Sequence, residues 1–281
     1  MTVTVAQISD THLSPSKPYF RDNFEIVAEE LRARRPDLIL NTGDLALDGA
    51  DSDADLELAR TAHASLGIEV HAIPGNHDVG DHPDVARRQP VNDQRVDRYR
   101  RILGHDFWAL DIPGWRFIAI NALTLGTGLH GDEAQQDMIR SKASSCDGRS
   151  LAIVLHKPLA DERYDEPLHS SRFMTASPRA TLLGLLDGVT PSVVLSGHVH
   201  QYRDVAIGGS RHVWAPATSF MISDPWQPAF GAKTVGYLEH TFDADGKHRH
   251  RLVGVKGISH HDLADFPQAY GDVRSWGPGG A

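Results

Sequence analysis

The chain has 281 residues, of which 40% are hydrophobic and 23% charged, and its formal net charge at pH 7 is −9. This composition is typical of a folded globular protein and excludes a disordered or fibrous chain. The net negative charge argues against a nucleic acid polymer as partner. No apolar stretch reaches the roughly 18 residues that a transmembrane helix requires, so we expect no transmembrane segment.

The cysteine and histidine contents narrow the class of protein further. Cys146 is the single cysteine, which excludes an intrachain disulfide and a cysteine-based zinc site. A reducing cytoplasm is the compartment that this favours, and the first residues show no export signal. The chain carries 17 histidines. Since histidine is the commonest metal ligand, the positions of these residues decide which function the sequence supports.

The first half of the chain alternates predicted strands with predicted helices. Apolar β-branched runs predict strands at residues 2–9, 37–41 and 68–73. Apolar residues at helical spacing predict two helices between them, one capped by Asp22 or Asn23 and one over residues 53–66. Two βα units and a third strand predict neighbouring parallel strands joined by right-handed crossovers.

The alternation is interrupted at residues 79–104, a polar segment that we interpret as an inserted loop with one helix. Its arginines, from Arg87 to Arg101, either form a solvated helix face, steer anionic substrates or contact a second subunit. After it we expect hairpins at residues 107–121, 202–215 and 235–253, and buried strands at 151–155 and 192–196. Helices are expected at 132–145 and at 178–186, the latter capped by Ser177.

Polar residues follow five of the predicted strands. They are Asp10 and His12, Asp44, Asn76 with His77 and Asp78, His156, and His198 with His200. Any one of these groups is explained as well by a turn, a helix cap or a core histidine. Because ligand sites form beyond the carboxyl ends of strands in open α/β sheets, the five together predict one site. Apart from His77 and Asp78, these groups supply two carboxylates, an amide and four imidazoles. This set suits Mn²⁺, Fe or Zn²⁺, and it is enough for two ions that share a carboxylate.

With these motifs the chain resembles the calcineurin-like metallophosphoesterases over roughly residues 3 to 200. The resemblance implies an α/β fold, a four-layer αββα sandwich of two mixed β-sheets with a dinuclear metal site at their rim. It implies that one ion is held by Asp10, His12, Asp44 and His200. The second ion would be held by Asp44, Asn76, His156 and His198, with Asp44 bridging the two.

The same resemblance implies roles in catalysis. A hydroxide bridging the two ions would attack the phosphorus of a phosphodiester. His77 would stabilise the transition state and protonate the leaving oxygen. Asp78 would orient His77, although a turn cap explains Asp78 equally well. Asn76, His77 and Lys157 are the residues that we expect to contact the substrate.

The segment from Gly43 to Gly49 indicates the subfamily. It lacks the arginine that protein phosphatases of this kind carry here to hold a phosphomonoester, and it has Leu47 where purple acid phosphatases have a tyrosine ligand. It is similar to the segment of bacterial phosphodiesterases that act on cyclic nucleotides or glycerophosphodiesters. Many of those have a second histidine where this chain has Lys157, which adds positive charge near the substrate or points to solvent.

Other functions stay open at this point. The stretch from Phe220 to Phe230 is either a packed loop or an apolar wall for a base, an acyl chain or a partner subunit. An acyl chain would suit a phospholipase C-like enzyme or a nucleotide-lipid pyrophosphohydrolase. A non-catalytic metal-binding scaffold is disfavoured because every ligand and His77 are present. A nuclease is disfavoured by the net charge.

The remaining expectations concern organisation. We expect a single domain over residues 1–257, a loosely held tail over 258–281 and a possible homo-oligomer. The late histidines are interpreted as surface residues rather than as a second metal site; they are His248, His250, His260 and His261.

Overall fold

The computed structural model of the chain describes residues 1–86, 88–167 and 170–276, so Arg87 of the expected insert lies outside the described residues. The strands, in chain order, are β1 (Thr2–Ile8), β2 (Leu38–Asn41), β3 (Val70–Ala72), β4 (Trp108–Ile112), β5 (Trp115–Ala119), β6 (Ser150–Val154), β7 (Val193–Ser196), β8 (Gln201–Ile207), β9 (Ser210–Trp214), β10 (Ala232–Lys233), β11 (Tyr237–Asp243) and β12 (His248–Val253). The helices are α1 (Arg21–Arg34), α2 (Asp53–Ala64), α3 (Asn76–Val79), α4 (Asp93–Leu103), α5 (Asp132–Ser144), α6 (Ala176–Leu186) and α7 (Pro267–Tyr270). Short 3₁₀ helices cover Leu263–Asp265 and Val273–Trp276.

The strands form two mixed sheets. One has the order β12-β11-β1-β2-β3 and the other the order β10-β8-β9-β7-β6-β5-β4. The three early strands are parallel, as expected for successive βα units, and β5, β6 and β7 are also parallel. The antiparallel strand β11 joins the first sheet beside β1. The five strands that precede the polar residues are thus divided between the sheets: the first sheet holds β1, β2 and β3, and the second holds β6 and β7.

Alternating side chains show how the sheets are layered. Val5 and Leu40 of the first sheet pack against Phe117 and Val154 of the second in one buried cluster. On the outer face of the first sheet, residues such as Ile39 pack against α1. On the outer face of the second sheet, β5 and β6 pack against α5 and α6. Each sheet therefore has one face toward the other sheet and one toward helices, and the expected αββα sandwich is confirmed.

Two predicted helix caps are wrong. Helix α1 begins at Arg21 with Phe20 at its N-cap, and Asn23 is buried inside the first turn. The Asn23 amide donates to the backbone oxygens of Ser219 and Ser259, so tertiary hydrogen bonds use the side chain that we expected at the cap. Helix α6 begins at Ala176, two residues before the predicted start. Pro178 fits the first turn because backbone N–H groups there have no partner within the helix.

The C-terminal tail is not loosely held, contrary to our expectation, over its described part. Leu263, Ala269 and Val273 are buried in a cluster with Phe20 and Phe220. The prediction of a loosely held tail rested on its glycine, proline and histidine content. That content gives no sign of the few apolar residues by which the tail packs against Phe20 and Phe220. This segment consequently lies against the loops that follow the early strands.

The inserted segment contains α4 and is tied to the start of α2. Arg95 binds Asp51, and Arg98 and Arg101 both bind Asp53. The aspartates of these ion pairs are about half exposed, but the Arg95 and Arg98 side chains are only 14% and 16% exposed. These two arginines of α4 therefore hold the insert against the start of α2 and do not form a solvated helix face. Among the described residues, none of the helices combines the length and apolar character that crossing a membrane demands.

We expect the free energy of unfolding to fall as the pH is lowered, and we expect protonation of His63 to cause part of this fall. Burial lowers the pKa of His63 to about 4, and its ring is held by Ala59 and Asn41. Between pH 6.5 and pH 4 the unfolded chain takes up a proton at His63 and the native chain does not. The native state therefore loses on the order of 3 kcal/mol over this range.

Urea unfolding at pH 7.5 and at pH 4.5 measures this loss. The His63→Gln variant should lose less stability between the two pH values than the parent chain does. Equal losses in the variant and the parent would contradict the assignment to His63.

Candidate metal centre

The polar groups that follow the five strands meet at one edge of the sandwich. Their loops require unusual backbone geometry: among the described residues, eight that are not glycine have positive φ. Five of those eight belong to the expected metal ligands, namely Asp10, His12, Asp44, His198 and His200. Such conformations cost of order 1–3 kcal/mol each and cluster at functional sites. The chain thus accepts strain at the positions where the candidate ligands lie.

One group of side chains surrounds Asp10. His200 Nε2 lies 3.3 Å from Asp10 Oδ1 and 3.3 Å from His12 Nε2. His12 Nε2 in turn lies 3.9 Å from Asp44 Oδ2. The three side chains Asp10, His12 and His200 each offer one ligand atom within 4.8 Å of the others. This group is compact enough to hold one ion.

A second group surrounds His156. Its Nε2 atom lies 3.2 Å from Asp44 Oδ2, 3.2 Å from Asn76 Oδ1 and 3.1 Å from His198 Nδ1. Asp44, His156 and His198 also satisfy the 4.8 Å limit. Asp44 Oδ2 therefore faces both groups.

Hydrogen bonds on the far side of the rings fix how three histidines face the centre. The His156 Nδ1–H group donates to Thr42 O at 2.7 Å. His200 Nδ1–H donates to Phe220 O at 2.8 Å, and His198 Nε2–H donates to Ser171 O at 2.9 Å. For His198 and His200 the proton on the outer nitrogen leaves the inner nitrogen with a lone pair. Burial lowers the pKa of His156, but the facing Asp44 raises it to about 9, so a bound ion would take the place of the His156 Nε2 proton. Metal-binding histidines are oriented in this way.

The charges and unsatisfied atoms of the centre fit divalent ions. Asp10 Oδ1 is buried and has no hydrogen-bond partner. Burial would raise the pKa of Asp10, but the facing His200 lowers it below its ordinary value. Asp44 shows the same balance, since His156, His77 and His12 overcome burial and hold its pKa well below the ordinary range. A cation between the groups would supply the partner that Asp10 Oδ1 lacks.

Two glycines permit the close approach of these loops. A Cβ atom on Gly75 would overlap the Asp44 carboxylate, and one on Gly43 would lie 2.5 Å from His156 Nδ1. Gly43 also has φ of +103°, which a side chain disfavours. The Gly-Asp and Gly-Asn-His-Asp motifs need their glycines for this packing.

Asp78 joins two loops and does not contact the ring that we expected it to orient. Its carboxylate accepts hydrogen bonds from the backbone N–H groups of Leu45, Ala46 and Gly75. Burial and the neighbouring Asp44 raise the pKa of Asp78 to about 7. The recorded bonds go to the backbone, so the turn-cap explanation is the one that the geometry favours. Asp78 holds the Asp44 loop against the Asn76 loop.

Lys157 is buried rather than directed to solvent. Its side chain is 3% exposed, and Nζ lies 2.6 Å from Asp81 Oδ1. Burial lowers the pKa of Lys157, and Asp81 opposes that effect. The positive charge of Lys157 is therefore balanced within the protein, and the lysine is absent from the lining of the pocket described below.

His77 and Tyr270 lie over the first group of ligands. The His77 backbone N–H donates to Asp44 Oδ1 at 2.8 Å, and its ring is half-buried. Tyr270, on α7, places its hydroxyl 2.5 Å from His12 Nδ1 and donates to Leu47 O at 3.0 Å. Because the hydroxyl proton is used on Leu47, the Tyr270 oxygen accepts from His12 Nδ1–H. Sequence reasoning missed Tyr270, which no motif marks.

A pocket of about 290 Å³ opens over the centre. His12, Asp44, His77, His198 and His200 form its floor. The apolar part of its wall includes Phe220, Ile222 and Leu263. The polar part includes Arg88, Gln89, Arg172 and Gln227. The stretch from Phe220 to Phe230 thus contributes directly to the wall, as one of our two interpretations expected.

The sequence matches a known protein family and individual relatives. The model of the calcineurin-like phosphoesterases matches residues 3–202. A "Probable cyclic nucleotide phosphodiesterase" of Synechococcus is 27% identical over 281 residues, which span 93% of this chain and 96% of the relative. The 3',5'-cyclic adenosine monophosphate phosphodiesterase CpdA of Escherichia coli K12 is 27% identical over 230 residues, 77% of this chain and 76% of CpdA.

Solved structures show the same fold at low sequence identity. The purple acid phosphatase PPD1 of yellow lupin aligns with a TM-score of 0.63 at 13% identity, covering 93% of this chain and 53% of PPD1. The Plasmodium protein GAP50 aligns with a TM-score of 0.61 at 14% identity, covering 92% of this chain and 86% of GAP50. The wall residues Phe220, Leu263 and Tyr270 lie beyond the residues that the family model matches.

Proposed function

Because the chain belongs to the calcineurin-like phosphoesterase family, we propose that it hydrolyses a 3',5'-cyclic nucleotide to a nucleoside monophosphate. The coarser activity, metal-dependent hydrolysis of a phosphodiester, rests on this family and on the phosphodiesterase relatives. The single structural observation that carries the metal-dependent activity is the position of Asp44 Oδ2, which faces both groups of candidate ligands. The choice of a cyclic nucleotide rests on the relatives.

The residues of the centre divide into those that hold the ions and those that act on the substrate. Two divalent ions, when bound, supply Lewis acidity that polarises a phosphoryl oxygen and activates water. One ion would be held by Asp10, His12, Asp44 and His200. The other would be held by Asp44, Asn76, His156 and His198. The identity of the metals, Mn²⁺, Fe or Zn²⁺, is not determined by this ligand set.

His77 is the residue that we assign to proton transfer. It lines the pocket beside Asp44 and His12, with a ring nitrogen within 4.8 Å of ligand atoms of both. Its backbone bond to Asp44 holds the residue in place, while its half-buried ring stays accessible from the pocket. His77 would donate a proton to the oxygen that leaves phosphorus.

The wall of the pocket favours a nucleotide over a simple diester. Phe220, Ile222 and Leu263 provide an apolar surface against which a base would pack. Gln89 and Gln227 also line the pocket, but Gln89 Nε2 donates to Asp48 and Asp51, and Gln227 Oε1 accepts from Gln201. Arg88 and Arg172 add positive charge for an anionic substrate. The apolar wall also keeps a phospholipase C-like activity as the second candidate.

A matched set of substrates tests the proposal. Mn²⁺-loaded protein should hydrolyse 3',5'-cyclic AMP and bis(p-nitrophenyl) phosphate with a kcat/KM at least tenfold above that for p-nitrophenyl phosphate, about 1.4 kcal/mol in transition-state binding. Faster hydrolysis of the monoester would contradict the phosphodiesterase assignment. Preference for glycerophosphodiesters or for phosphatidylcholine in mixed micelles over cyclic AMP would replace the nucleotide by those substrates.

We expect Tyr270→Phe to weaken metal binding without unfolding the chain. The variant removes the hydroxyl that accepts from His12 Nδ1–H. Loss of such an outer partner typically lowers metal affinity or activity, and we expect Mn²⁺ affinity to fall by about 10–100-fold. The Mn²⁺ concentration for half-maximal activity, and equilibrium dialysis of Mn²⁺, measure the effect. Tyr19→Phe, which changes a tyrosine outside the lining of the pocket, is the control. Unchanged Mn²⁺ affinity in Tyr270→Phe would remove Tyr270 from the site.

Two further expectations remain predictions. We propose a cytoplasmic location, which the single cysteine, Cys146, favours. A homo-oligomer would be detected by light scattering.

A further inference from the structure

Three histidines on the last two strands lie together between the sheets, away from the loops of the candidate metal centre. His240 of β11 alternates with Leu238 and Phe242, which belong to the core between the sheets. His250 of β12 pairs directly with His240. The exposed fraction is 0% for His240 and 2% for the His250 side chain. The His250 side chain is therefore not on the surface, and His248 is half-buried with its Nδ1 atom inaccessible to solvent, contrary to our expectation for both.

The three rings, hereafter the three-histidine cluster, present nitrogen atoms to a common space. One ring nitrogen from each of His240, His248 and His250 lies within 4.8 Å of the other two. His240 Nδ1 is 2.9 Å from His248 Nε2. Two imidazole nitrogens on one tetrahedral Zn²⁺ lie roughly 3.4 Å apart at bond lengths of about 2.0–2.1 Å. To accept such an ion the pair needs to open by about half an ångström, and the proton that His248 Nε2 donates to His240 Nδ1 must leave Nε2.

Gln7 fixes the orientation of His240. The Gln7 side-chain amide donates to Ser196 O at 3.0 Å and to Thr42 Oγ1 at 3.2 Å, so its Oε1 atom faces the other way. His240 Nε2 lies 3.0 Å from that Oε1 and must donate to it. The lone pair of His240 Nδ1 is consequently directed toward His248. This is the arrangement that an outer partner imposes on a metal-binding histidine.

Hydrogen bonds do not satisfy every ring nitrogen of the three-histidine cluster. His248 Nδ1 and His250 Nδ1 are buried without a partner, and burial is the main cause that lowers the pKa of all three histidines. Tyr202 OH lies 3.2 Å from His250 Nε2. The charged groups nearby are Arg211 and Asp204, which pair with each other. Their opposite charges largely cancel, so the cluster consists of neutral imidazoles beside a balanced ion pair.

We propose that His240, His248 and His250 form a second metal site that binds one borderline transition-metal ion such as Zn²⁺. Imidazole nitrogens suit Zn²⁺, Cu²⁺ and Ni²⁺ rather than Mg²⁺ or Ca²⁺. β12 is the edge strand of its sheet. An ion here would join β11 to β12 and stabilise the edge of the sandwich. The site is independent of the proposed phosphodiesterase activity.

Metal counting tests the site on the intact chain. After equilibrium dialysis against Zn²⁺, His248→Gln and His250→Gln should each hold one equivalent fewer than the unchanged protein. His212→Gln is the matched control, since His212 is also buried with an unpartnered ring nitrogen but lies outside the cluster; it should hold as many ions as the unchanged protein. Diesterase activity in Mn²⁺ should be unchanged in both cluster variants.

Equal Zn²⁺ content in the unchanged protein and in the two cluster variants would overturn the site. The comparison is a difference of one ion, so it holds whether or not the candidate metal centre binds its two. If both variants fail to fold, anomalous diffraction from a Zn²⁺-soaked crystal of the unchanged protein decides. A peak among the three rings would support the site, and a peak-free cluster would overturn it.

Discussion

Replacing Asp44 by alanine should leave the protein folded but unable to retain either catalytic ion, and phosphodiester hydrolysis should fall by at least roughly 10³-fold. Asp44 Oδ2 faces His12 of one ligand group and His156 of the other. No other described carboxylate occupies both groups. Removing it takes a ligand from each ion and leaves two sets of imidazoles without the shared negative charge.

Elemental analysis of dialysed Mn²⁺-loaded protein, together with hydrolysis of bis(p-nitrophenyl) phosphate, measures both effects. Asp53→Ala is the matched control, because Asp53 is an exposed aspartate with arginine partners at the start of α2. It should keep the ions and the activity. Two tightly bound Mn²⁺ ions in Asp44→Ala would contradict the bridging position.

His77→Ala is expected to separate metal binding from catalysis. The variant should keep the Mn²⁺ content of the parent, since His77 is not among the assigned ligands, while turnover falls by about 10²–10⁴-fold, the usual contribution of a general acid or base. The loss should appear in kcat, because proton donation to the leaving oxygen is made only in the transition state.

The control for this prediction is His130→Ala, which should keep both the Mn²⁺ content and the turnover. The His130 side chain is 76% exposed and lies outside the pocket. With a substrate whose leaving group needs no proton, the difference in turnover between His77→Ala and the unchanged protein should be smaller. Unchanged turnover on cyclic AMP would exclude proton donation by His77. Loss of an ion together with turnover would instead make His77 a metal ligand.

The positions of the candidate ligands were predictable because strand ends are encoded locally. Short apolar runs predict β1, β2 and β6, and polar residues that follow them must lie at the carboxyl ends of those strands. Helix boundaries were less predictable. The Asn23 side chain donates to the backbone oxygens of Ser219 and Ser259, which lie 196 and 236 residues further along the chain. No local sequence pattern indicates such distant partners.

Contacts between distant segments account for the other differences. Tyr270 reaches His12 only because the apolar residues around Leu263 dock the tail against Phe20. His248 and His250 are two residues apart, so the spacing places them on one face of a strand. Whether that face meets the second sheet or solvent depends on the pairing of β12 with β11, which the local sequence does not specify.

Titration of metal-free protein with Mn²⁺, followed by hydrolysis of bis(p-nitrophenyl) phosphate, tests the dinuclear phosphodiesterase most directly. Activity should rise until two equivalents of Mn²⁺ per chain are bound and then stay constant, in the unchanged protein and in His248→Gln alike. Activity that is complete at one equivalent, or that persists in metal-free protein, would contradict a mechanism built on two ions joined by Asp44.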